Sequence, residues 1–281
     1  MRRFSLQGRW VIVTGASSGL GRAISLRLAN KEKARVIAVA RRKDRLTALV
    51  DEAAGTGGVI LPLPADITKP GAPAQIVSEA HRLAGEIPFG LLNNAGITWY
   101  GRFTEMPVQE IGRIIDLNVR ATMELTHAFL LLHGQAARPD ENPVESGAPP
   151  CSRETKAAML TVTSLGAHVP VPYQSVYAAS KHALQAFVES LAAEVSGRGI
   201  LVATVEPGGI RTEMIEQAGL EKKFSPRTLM SADVIAAWAI QSWKRGRLHA
   251  VPGLTNRLVA AFGRFLPRRF VARASERLFR P

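Results

Sequence analysis

Residues 10–21 read WVIVTGASSGLG, an apolar run that ends in a glycine-rich turn and leads into a helical pattern. Such a turn lets the backbone approach a pyrophosphate, and the N-terminus of the following helix supplies N–H groups and a positive dipole. The spacing is G-x-x-x-G-x-G and differs from the G-x-G-x-x-G dinucleotide fingerprint, so the motif alone would also suit a tight turn. Its position directly after the first strand favours the nucleotide-binding interpretation.

Short apolar runs alternate with helical patterns along most of the chain. The runs that we predict as strands are 10–13, 35–40, 59–63, 89–92, 158–162, 201–205 and 248–251. Uninterrupted β-α alternation predicts a parallel sheet with helices on both faces. We therefore expect an α/β fold, a three-layer doubly wound Rossmann fold with about seven parallel strands. A single dinucleotide-binding catalytic domain is predicted over residues 1–252.

Two segments interrupt this pattern. Residues 134–156 contain four prolines among polar residues and are predicted to form an exposed loop away from the ligand-binding edge of the sheet. Residues 253–281 form a basic amphipathic extension, in which apolar residues recur at helical spacing on either side of Pro267.

The formal net charge of +13 suits an anionic partner, which could be nucleic acid, a membrane surface or a small molecule. Nucleic acid is disfavoured because no aromatic-basic motif that reads bases is evident. The single cysteine suits a reducing compartment, and neither a signal peptide nor a spanning helix is expected. These features predict a cytoplasmic protein.

The second strand ends at Ala40 and runs into Arg41 and Arg42. A carboxylate at this point would bond the ribose 2′-hydroxyl of NAD, whereas two guanidiniums can bind the 2′-phosphate of NADP(H). We therefore predict NADP(H) as the cofactor. The alternative is that both arginines are solvated loop charges.

Tyr177 and Lys181 lie four positions apart in Y-A-A-S-K, which places both side chains on one face of a helix. A lysine ammonium beside a phenol favours the phenolate and makes the tyrosine a candidate general acid or base. Alone, the pair is also common on solvated helix faces, so its meaning depends on the cofactor site.

Taken together, these features resemble the short-chain dehydrogenase/reductase family. The motifs that carry the resemblance are T-G-x-x-x-G-x-G at 14–21, Asp66-Ile67 after the third strand, N-N-A-G at 93–96, Asn118 in the long fourth helix, Ser164 at the end of the fifth strand, Y-x-x-x-K at 177–181 and P-G-x-x-x-T at 207–212. They occur in the family's order from about residue 9 to residue 251, and this joint order outweighs any single motif.

The resemblance implies a cofactor site and a catalytic set. The cofactor residues are Thr14, Gly15, Ser17, Ser18, Gly19, Leu20, Gly21, Arg41, Arg42, Asp66, Ile67, Asn94, Ala95, Gly96, Tyr177, Lys181, Pro207, Gly208, Ile210 and Thr212. The catalytic residues are Asn118, Ser164, Tyr177 and Lys181. Tyr177 would exchange a proton with the substrate oxygen, Ser164 would orient that oxygen, and Lys181 would lower the pKa of Tyr177. Asn118 would hold a water that links Lys181 to solvent.

The predicted substrate is a hydrophobic ketone, aldehyde or secondary alcohol. The residues expected to surround it are Ser164, Trp99, Tyr100, His168, Tyr173 and Met214. His168 is expected to be a polar wall residue, because no second metal-type ligand accompanies it, and no metal site is predicted.

Three roles remain open for residues 254–281, namely binding to an anionic membrane, covering the substrate cleft and packing on a partner subunit. By analogy with the family, a homodimer or homotetramer is expected. The rival function is a non-catalytic NADP-binding regulatory or nucleic-acid-associated protein on the same fold. The net charge favours that rival, and the complete set of proton-transfer residues disfavours it.

Overall fold

The computed structural model describes residues 4–135, 155–220, 223 and 229–281. Its central sheet has seven parallel strands in the order β3-β2-β1-β4-β5-β6-β9. The strands of this sheet are β1 (Trp10–Thr14), β2 (Arg35–Ala40), β3 (Val59–Pro64), β4 (Gly90–Asn93), β5 (Ala157–Val162), β6 (Ile200–Val205) and β9 (His249–Ala250). A separate parallel pair joins β7 (Ile210–Arg211) to β8 (Met230–Ser231). The predicted α/β doubly wound fold is confirmed.

Helices cover both faces of the sheet. The described helices are α1 (Gly19–Asn30), α2 (Lys43–Ala54), α3 (Ala72–Ala84), α4 (Val108–Ile115), α5 (Ala121–Gln135), α6 (Ser175–Glu194), α7 (Glu213–Gln217), α8 (Ala232–Lys244), α9 (Leu254–Phe265) and α10 (Arg268–Phe279). No described helix combines the length and the apolar character needed to cross a bilayer.

Alternate residues of each strand enter two separate apolar clusters. In β1, Val11 and Val13 pack into the cluster that contains α1, α2 and α8 residues, whereas Trp10 and Ile12 pack against α3, α5 and α6. This division follows from the two-residue repeat of a strand, which points successive side chains to opposite faces. Because both faces are covered, the strands are mostly apolar, as the sequence pattern indicated.

The long fourth helix that the sequence predicts around Asn118 is interrupted in the structure by a wider π-helical turn at Asp116–Arg120. The Ala121 N–H bonds to the carbonyl of Asp116, five residues earlier, instead of the usual four. Asn118 lies inside this turn, and its side-chain amide accepts the N–H of Ile97 and donates to the carbonyl of the same residue. The hydropathy pattern does not record this interruption, because the partner of Asn118 is distant in sequence.

The glycine turn after β1 is held tightly against the end of β4. The Thr14 hydroxyl accepts N–H groups from Asn94 and Ala95 at 3.0 and 3.1 Å, and the Asn94 amide donates to the Thr14 carbonyl at 3.0 Å. A Cβ atom on Gly21 would lie 2.3 Å from the Gly15 oxygen and 2.4 Å from Asn94 Nδ2. Position 21, in the first turn of α1, therefore requires glycine, because the helix lies too close to the backbone of Gly15 to accommodate a side chain.

Most of the predicted loop 134–156 falls on residues 136–154, which lie outside the described part of the chain. The C-terminal extension forms α9 and α10, separated at Leu266 and Pro267.

The glycine turn generates a first prediction. Gly21→Ala should lower the free energy of unfolding by about 1–3 kcal/mol, because the added methyl group meets a backbone oxygen that cannot move away cheaply. Gly112→Ala is the matched control, since the space around Gly112 in α4 is open and alanine is the better helix former. Urea unfolding of both variants measures the difference, and equal stabilities would contradict the close approach.

Candidate active site

A cavity of about 630 Å³ opens along the carboxyl ends of the parallel strands. Its lining comes from the segments that directly follow β1, β2, β3, β4, β5 and β6. The strand order reverses between β1 and β4, and ligands of open α/β sheets bind at such a switch point. The volume lies in the range of small-molecule and cofactor sites.

The structure brings nearly all of the sequence-predicted cofactor residues to this cavity. Those that line it are Gly15, Ser17, Ser18, Gly19, Leu20, Arg41, Arg42, Asp66, Ile67, Asn94, Ala95, Gly96, Tyr177, Lys181, Pro207, Gly208, Ile210 and Thr212. Thr14 and Gly21 are not among the described lining residues. They lie behind it, where they hold the glycine turn against β4.

Two arginines stand at one end of the cavity. Arg42 donates to the hydroxyls of Ser17 and Ser18 at 3.1 and 2.8 Å, so its guanidinium lies against the glycine turn. Arg41 is exposed at the same edge. The side chains at this end therefore present two positive charges and two hydroxyls to an incoming anion.

Glu213 is a partner of this arginine end that the sequence analysis missed. Its carboxylate bonds Arg45 at 2.5 Å and Arg42 at 3.4 Å. The hydrogen bond from Arg45 is the main cause of a lowered Glu213 pKa; burial opposes it, and the bond from Arg42 and the charges of both arginines lower the pKa further. The only sequence signal was its place directly after Thr212, the last residue of the P-G-x-x-x-T motif.

Asp66 lies at the end of β3, where its carboxylate accepts the Thr68 N–H and hydroxyl at 3.0 and 2.7 Å. Partial burial raises the Asp66 pKa, but the two bonds from Thr68 and the charges of Arg41 and Lys69 outweigh it and leave the pKa lowered. The carboxylate is thus held ionised in a fixed orientation beside Arg41.

Ser164, Tyr177 and Lys181 meet in the central part of the cavity. Ser164 follows β5, and its hydroxyl accepts the Gly166 N–H at 3.0 Å and forms a hydrogen bond with Tyr177. The Lys181 ammonium is buried, lies 5.7 Å from the centre of the Tyr177 ring and donates to the Val162 carbonyl at 2.9 Å. The i, i+4 spacing predicted from Y-x-x-x-K is realised on α6.

The pKa of Tyr177 differs from the sequence-based expectation. Burial raises it above its usual range, and the hydrogen bond with Ser164 opposes that rise only in part. The Lys181 ammonium donates to the Val162 carbonyl, and the hydrogen bond that acts on the Tyr177 phenol comes from Ser164. Burial lowers the pKa of Lys181 itself to about 8.

Asn118 lies behind the cavity wall formed by Gly96. Its amide donates to the Ile97 carbonyl and to the Ser180 hydroxyl, both at 3.0 Å, and its oxygen accepts the Ile97 N–H at 2.9 Å. A Cβ on Gly96 would come within 3.2 Å of Asn118 Oδ1 and 3.6 Å of Lys181 Nζ. The side chain of Asn118 thus ties the loop after β4 to α6, close to Lys181.

Four of the six predicted substrate residues line the cavity, namely Ser164, Trp99, Tyr100 and Met214. His168 and Tyr173 are not among its described lining residues. His168 Nε2 bonds the Glu206 carboxylate at 2.6 Å, and the Tyr173 hydroxyl bonds Glu276 of α10 at 2.8 Å. Both side chains therefore have partners that a local sequence pattern could not reveal.

Glu206 is a second residue that sequence reasoning missed. It is buried directly before Pro207, and its carboxylate bonds His168, His249 at 2.9 Å, Thr204 at 2.5 Å and Gln185 at 3.2 Å. Burial would raise its pKa, but the hydrogen bonds from His168, His249 and Thr204 and the charge of His168 lower it to about 2. Through His168 this carboxylate secures the loop that carries Ser164. An acidic residue next to P-G was the only signal in the sequence.

Comparison with known proteins agrees with this architecture. A family model described as short chain dehydrogenase matches residues 9–137 and 142–223. The chain is 36% identical over 211 residues to a short chain dehydrogenase of Pseudocercospora fijiensis, an alignment that covers 74% of this chain and 62% of that protein. The chain therefore spans less than two thirds of the length of this relative.

Solved structures match over more of the chain. A short-chain dehydrogenase of Sphingobium yanoikuyae in complex with NADPH superposes with a TM-score of 0.75 at 28% identity and covers 91% of this chain and 92% of its own. A Burkholderia phymatum member in complex with NAD has a TM-score of 0.76 at 18% identity, with 93% of each chain covered, and shows the shared fold alone.

The buried Glu206 carboxylate predicts a specific pH dependence of stability. Because its pKa is about 2 in the folded chain and 4.5 ordinarily, its contribution is fully present above pH 4.5 and is lost as the pH falls through 2. The free energy of unfolding of the wild type should therefore fall with acid by up to about 3 kcal/mol more than that of Glu206→Gln.

Urea unfolding at a series of acidic pH values checks this expectation. Glu194→Gln, which replaces an exposed carboxylate at the end of α6, is the matched control. If Glu206→Gln and the wild type lose stability in parallel as the pH falls, the ionised buried carboxylate is refuted.

Proposed function

Because the chain belongs to the short chain dehydrogenase family, we propose that it is an NADP(H)-dependent oxidoreductase that interconverts a carbonyl group and a secondary alcohol of a hydrophobic small molecule. The observation that carries this proposal is the meeting of Ser164, Tyr177 and Lys181 in the cavity that the glycine turn borders. A proton-transfer pair and a dinucleotide cradle share one site, which is the arrangement that such a reaction needs.

The residues present fit a nicotinamide dinucleotide. The glycine turn and the N-terminus of α1 would hold the pyrophosphate, and Gly19 leaves room for it beside Thr212, whose methyl carbon would lie 3.1 Å from an added Cβ. Asp66 and Ile67 would border the adenine, and the segment from Pro207 to Thr212 would border the nicotinamide. When bound, the nicotinamide supplies or accepts hydride at the substrate carbon.

Arg41 and Arg42 favour the phosphorylated form of the cofactor. They replace the carboxylate that would bond a ribose 2′-hydroxyl, and they offer guanidiniums for a 2′-phosphate. The similar Sphingobium yanoikuyae structure, which contains NADPH, supports the same assignment.

Side chains of the protein would transfer the proton to and from the substrate oxygen. The raised pKa of Tyr177 keeps the phenol protonated at neutral pH, so it can donate its proton to the oxygen of a carbonyl substrate. The Ser164 hydroxyl would donate a hydrogen bond to the same oxygen and orient it. Lys181 would hold positive charge near the phenol as the proton leaves, and Asn118 would keep the adjoining loop in place for a water chain. In the reverse direction Tyr177 would accept the proton.

Apolar side chains favour a hydrophobic substrate. Trp99, Tyr100 and Met214 line the cavity that also contains Ser164, and Ile215 and Ala218 of the α7 segment add further apolar lining. Such a wall binds carbon surface and leaves few groups to pair with a polar substrate. His168 and Tyr173 would then act from behind this wall by holding the loops that form it.

We further propose a cytoplasmic homodimer or homotetramer with one catalytic domain over residues 1–252. The single cysteine suits a reducing compartment. Val108 and Ile115 of α4 are exposed apolar residues, and they offer a surface for a second subunit.

The general acid or base can be tested directly. Tyr177→Phe should lower kcat for carbonyl reduction by about 100- to 10,000-fold, because the phenylalanine ring fills the same space without the transferable proton. The dissociation constant of NADPH, measured by its fluorescence, should stay near the wild-type value and serves as the internal control. Turnover comparable to that of the wild type would remove Tyr177 from its proposed role.

The cofactor preference gives a separate prediction. Arg42→Gln and Arg41→Gln should each raise KM for NADPH by about 10- to 100-fold and leave KM for NADH nearly unchanged, since only NADPH carries the 2′-phosphate. Arg198→Gln removes an equal charge from the exposed turn after α6 and is the matched control. A wild-type enzyme that uses NADH better than NADPH would overturn the assignment.

A further inference from the structure

The last two helices expose an unusual amount of apolar surface. Phe265, Leu254 and Phe270 are 85%, 72% and 61% exposed. Leu258, Phe262 and Leu278 are also exposed, and half of the large exposed hydrophobic side chains among the described residues belong to α9 and α10. Exposed apolar side chains concentrated in one segment of a protein indicate a contact surface.

The opposite face of the same helices is packed on the body of the protein. Asn256 of α9 lies against Gly208, and a Cβ on Gly263 would come within 2.5 Å of Val169. The Tyr173 hydroxyl bonds Glu276 at 2.8 Å, and the Tyr100 hydroxyl bonds the Phe279 carbonyl at 2.7 Å. The inner face therefore packs on the rest of the protein, whereas the apolar residues on the outer face are exposed and can contact an external partner.

The outer face of α10 carries an apolar column and a cationic column side by side. Phe270, Ala274 and Leu278 repeat every four residues, as do Arg269, Arg273 and Arg277, and all six are exposed. Residues four apart lie in one column of a helix, and residues one apart lie about 100° around it. On α9 the corresponding apolar column contains Leu254, Leu258 and Phe262.

The charge of this surface is almost wholly positive. Residues 254–281 contain seven arginines and one acidic residue, Glu276. Glu276 is already bonded by Tyr173 and by Arg280 at 2.9 Å, and these bonds lower its pKa, with the bond from Arg280 as the larger cause. Glu276 also lies close enough to Arg277 to feel its charge, so one carboxylate, already bonded by Tyr173 and Arg280, faces the seven arginines of these residues.

Such a surface narrows the choice of partner. A second copy that met it symmetrically would bring arginine columns together without acidic residues to separate them. A nucleic acid would neutralise the arginines but leave the phenylalanine and leucine column in water. The interface of an anionic bilayer can accommodate both columns, because the apolar side chains enter the boundary of the acyl chains while the arginines bind lipid phosphates.

We propose that the outer face of α9 and α10 docks this protein on anionic membranes. The helices would lie in the plane of the interface with Phe262, Phe265 and Phe270 inserted. Because Tyr100 lines the cavity and also bonds α10, docking would hold this edge of the cavity next to the lipid.

Flotation of the full-length protein with two kinds of vesicle tests the docking surface. The wild type should float with vesicles of equimolar phosphatidylserine and phosphatidylcholine and stay in solution with pure phosphatidylcholine. Replacement of Arg269, Arg273 and Arg277 by Gln should weaken binding to the anionic vesicles by roughly 100-fold, since each basic residue near the surface contributes about fivefold. Replacement of Phe262 and Phe270 by Gln should also release the protein from them.

A charge-matched triple variant separates this surface from the overall charge of +13. Replacement of Arg198, Arg245 and Arg247, which are exposed elsewhere, by Gln should leave binding to anionic vesicles at the wild-type level. Because the replaced side chains are exposed, all variants should keep the wild-type fold, and circular dichroism checks that they do.

Three outcomes would overturn the proposal. They are a wild type that ignores anionic vesicles, an equal loss in the charge-matched triple variant, and unchanged flotation after the phenylalanine replacements. A wild-type oligomer that dissociates in the Phe262 and Phe270 variant without vesicles, seen by sedimentation velocity, would assign the surface to a second copy instead. None of these measurements needs turnover, so their failure leaves the proposed oxidoreductase activity intact.

Discussion

The rest of the structure depends on the close approach of the glycine turn after β1 to the end of β4. Two hydrogen bonds between Thr14 and Asn94 hold the turn against the strand end. At Gly21 the backbone lies so close to Asn94 that a side chain would not fit. The contact places the N-terminus of α1 over the point where the strand order reverses. The segments that follow β1 to β6 then face the same cavity, because parallel strands end on one edge of the sheet.

Around this edge the protein buries ionisable groups in two different ways. Lys181 is buried with a backbone carbonyl as its partner, so desolvation dominates and its pKa falls to about 8. Glu206 is buried with several donors, so hydrogen bonds outweigh desolvation and its pKa falls to about 2. The first group stays responsive near neutral pH, whereas the second is a permanent negative charge that secures the loop before α6 through His168.

The C-terminal helices join this site to the outside of the molecule. Their inner face bonds Tyr100 and Tyr173, and their outer face presents phenylalanine beside arginine. Of the roles that the sequence left open for residues 254–281, the structure shows the packing of one face near the cavity. The other face still requires a partner, because burying only one side of an amphipathic helix leaves its remaining apolar surface in water.

The sequence by itself determined the alternating strands, the glycine turn and the i, i+4 relation of Tyr177 and Lys181, since each follows from a local repeat or spacing. Only the tertiary structure decided what depends on residues far apart in the chain. Examples are the π turn that contains Asn118, whose side chain bonds Ile97, and the hydrogen bond between Glu206 and His168. The tertiary structure also reversed the expected direction of the Tyr177 pKa, because burial is a property of the assembled fold and no neighbour in sequence reports it.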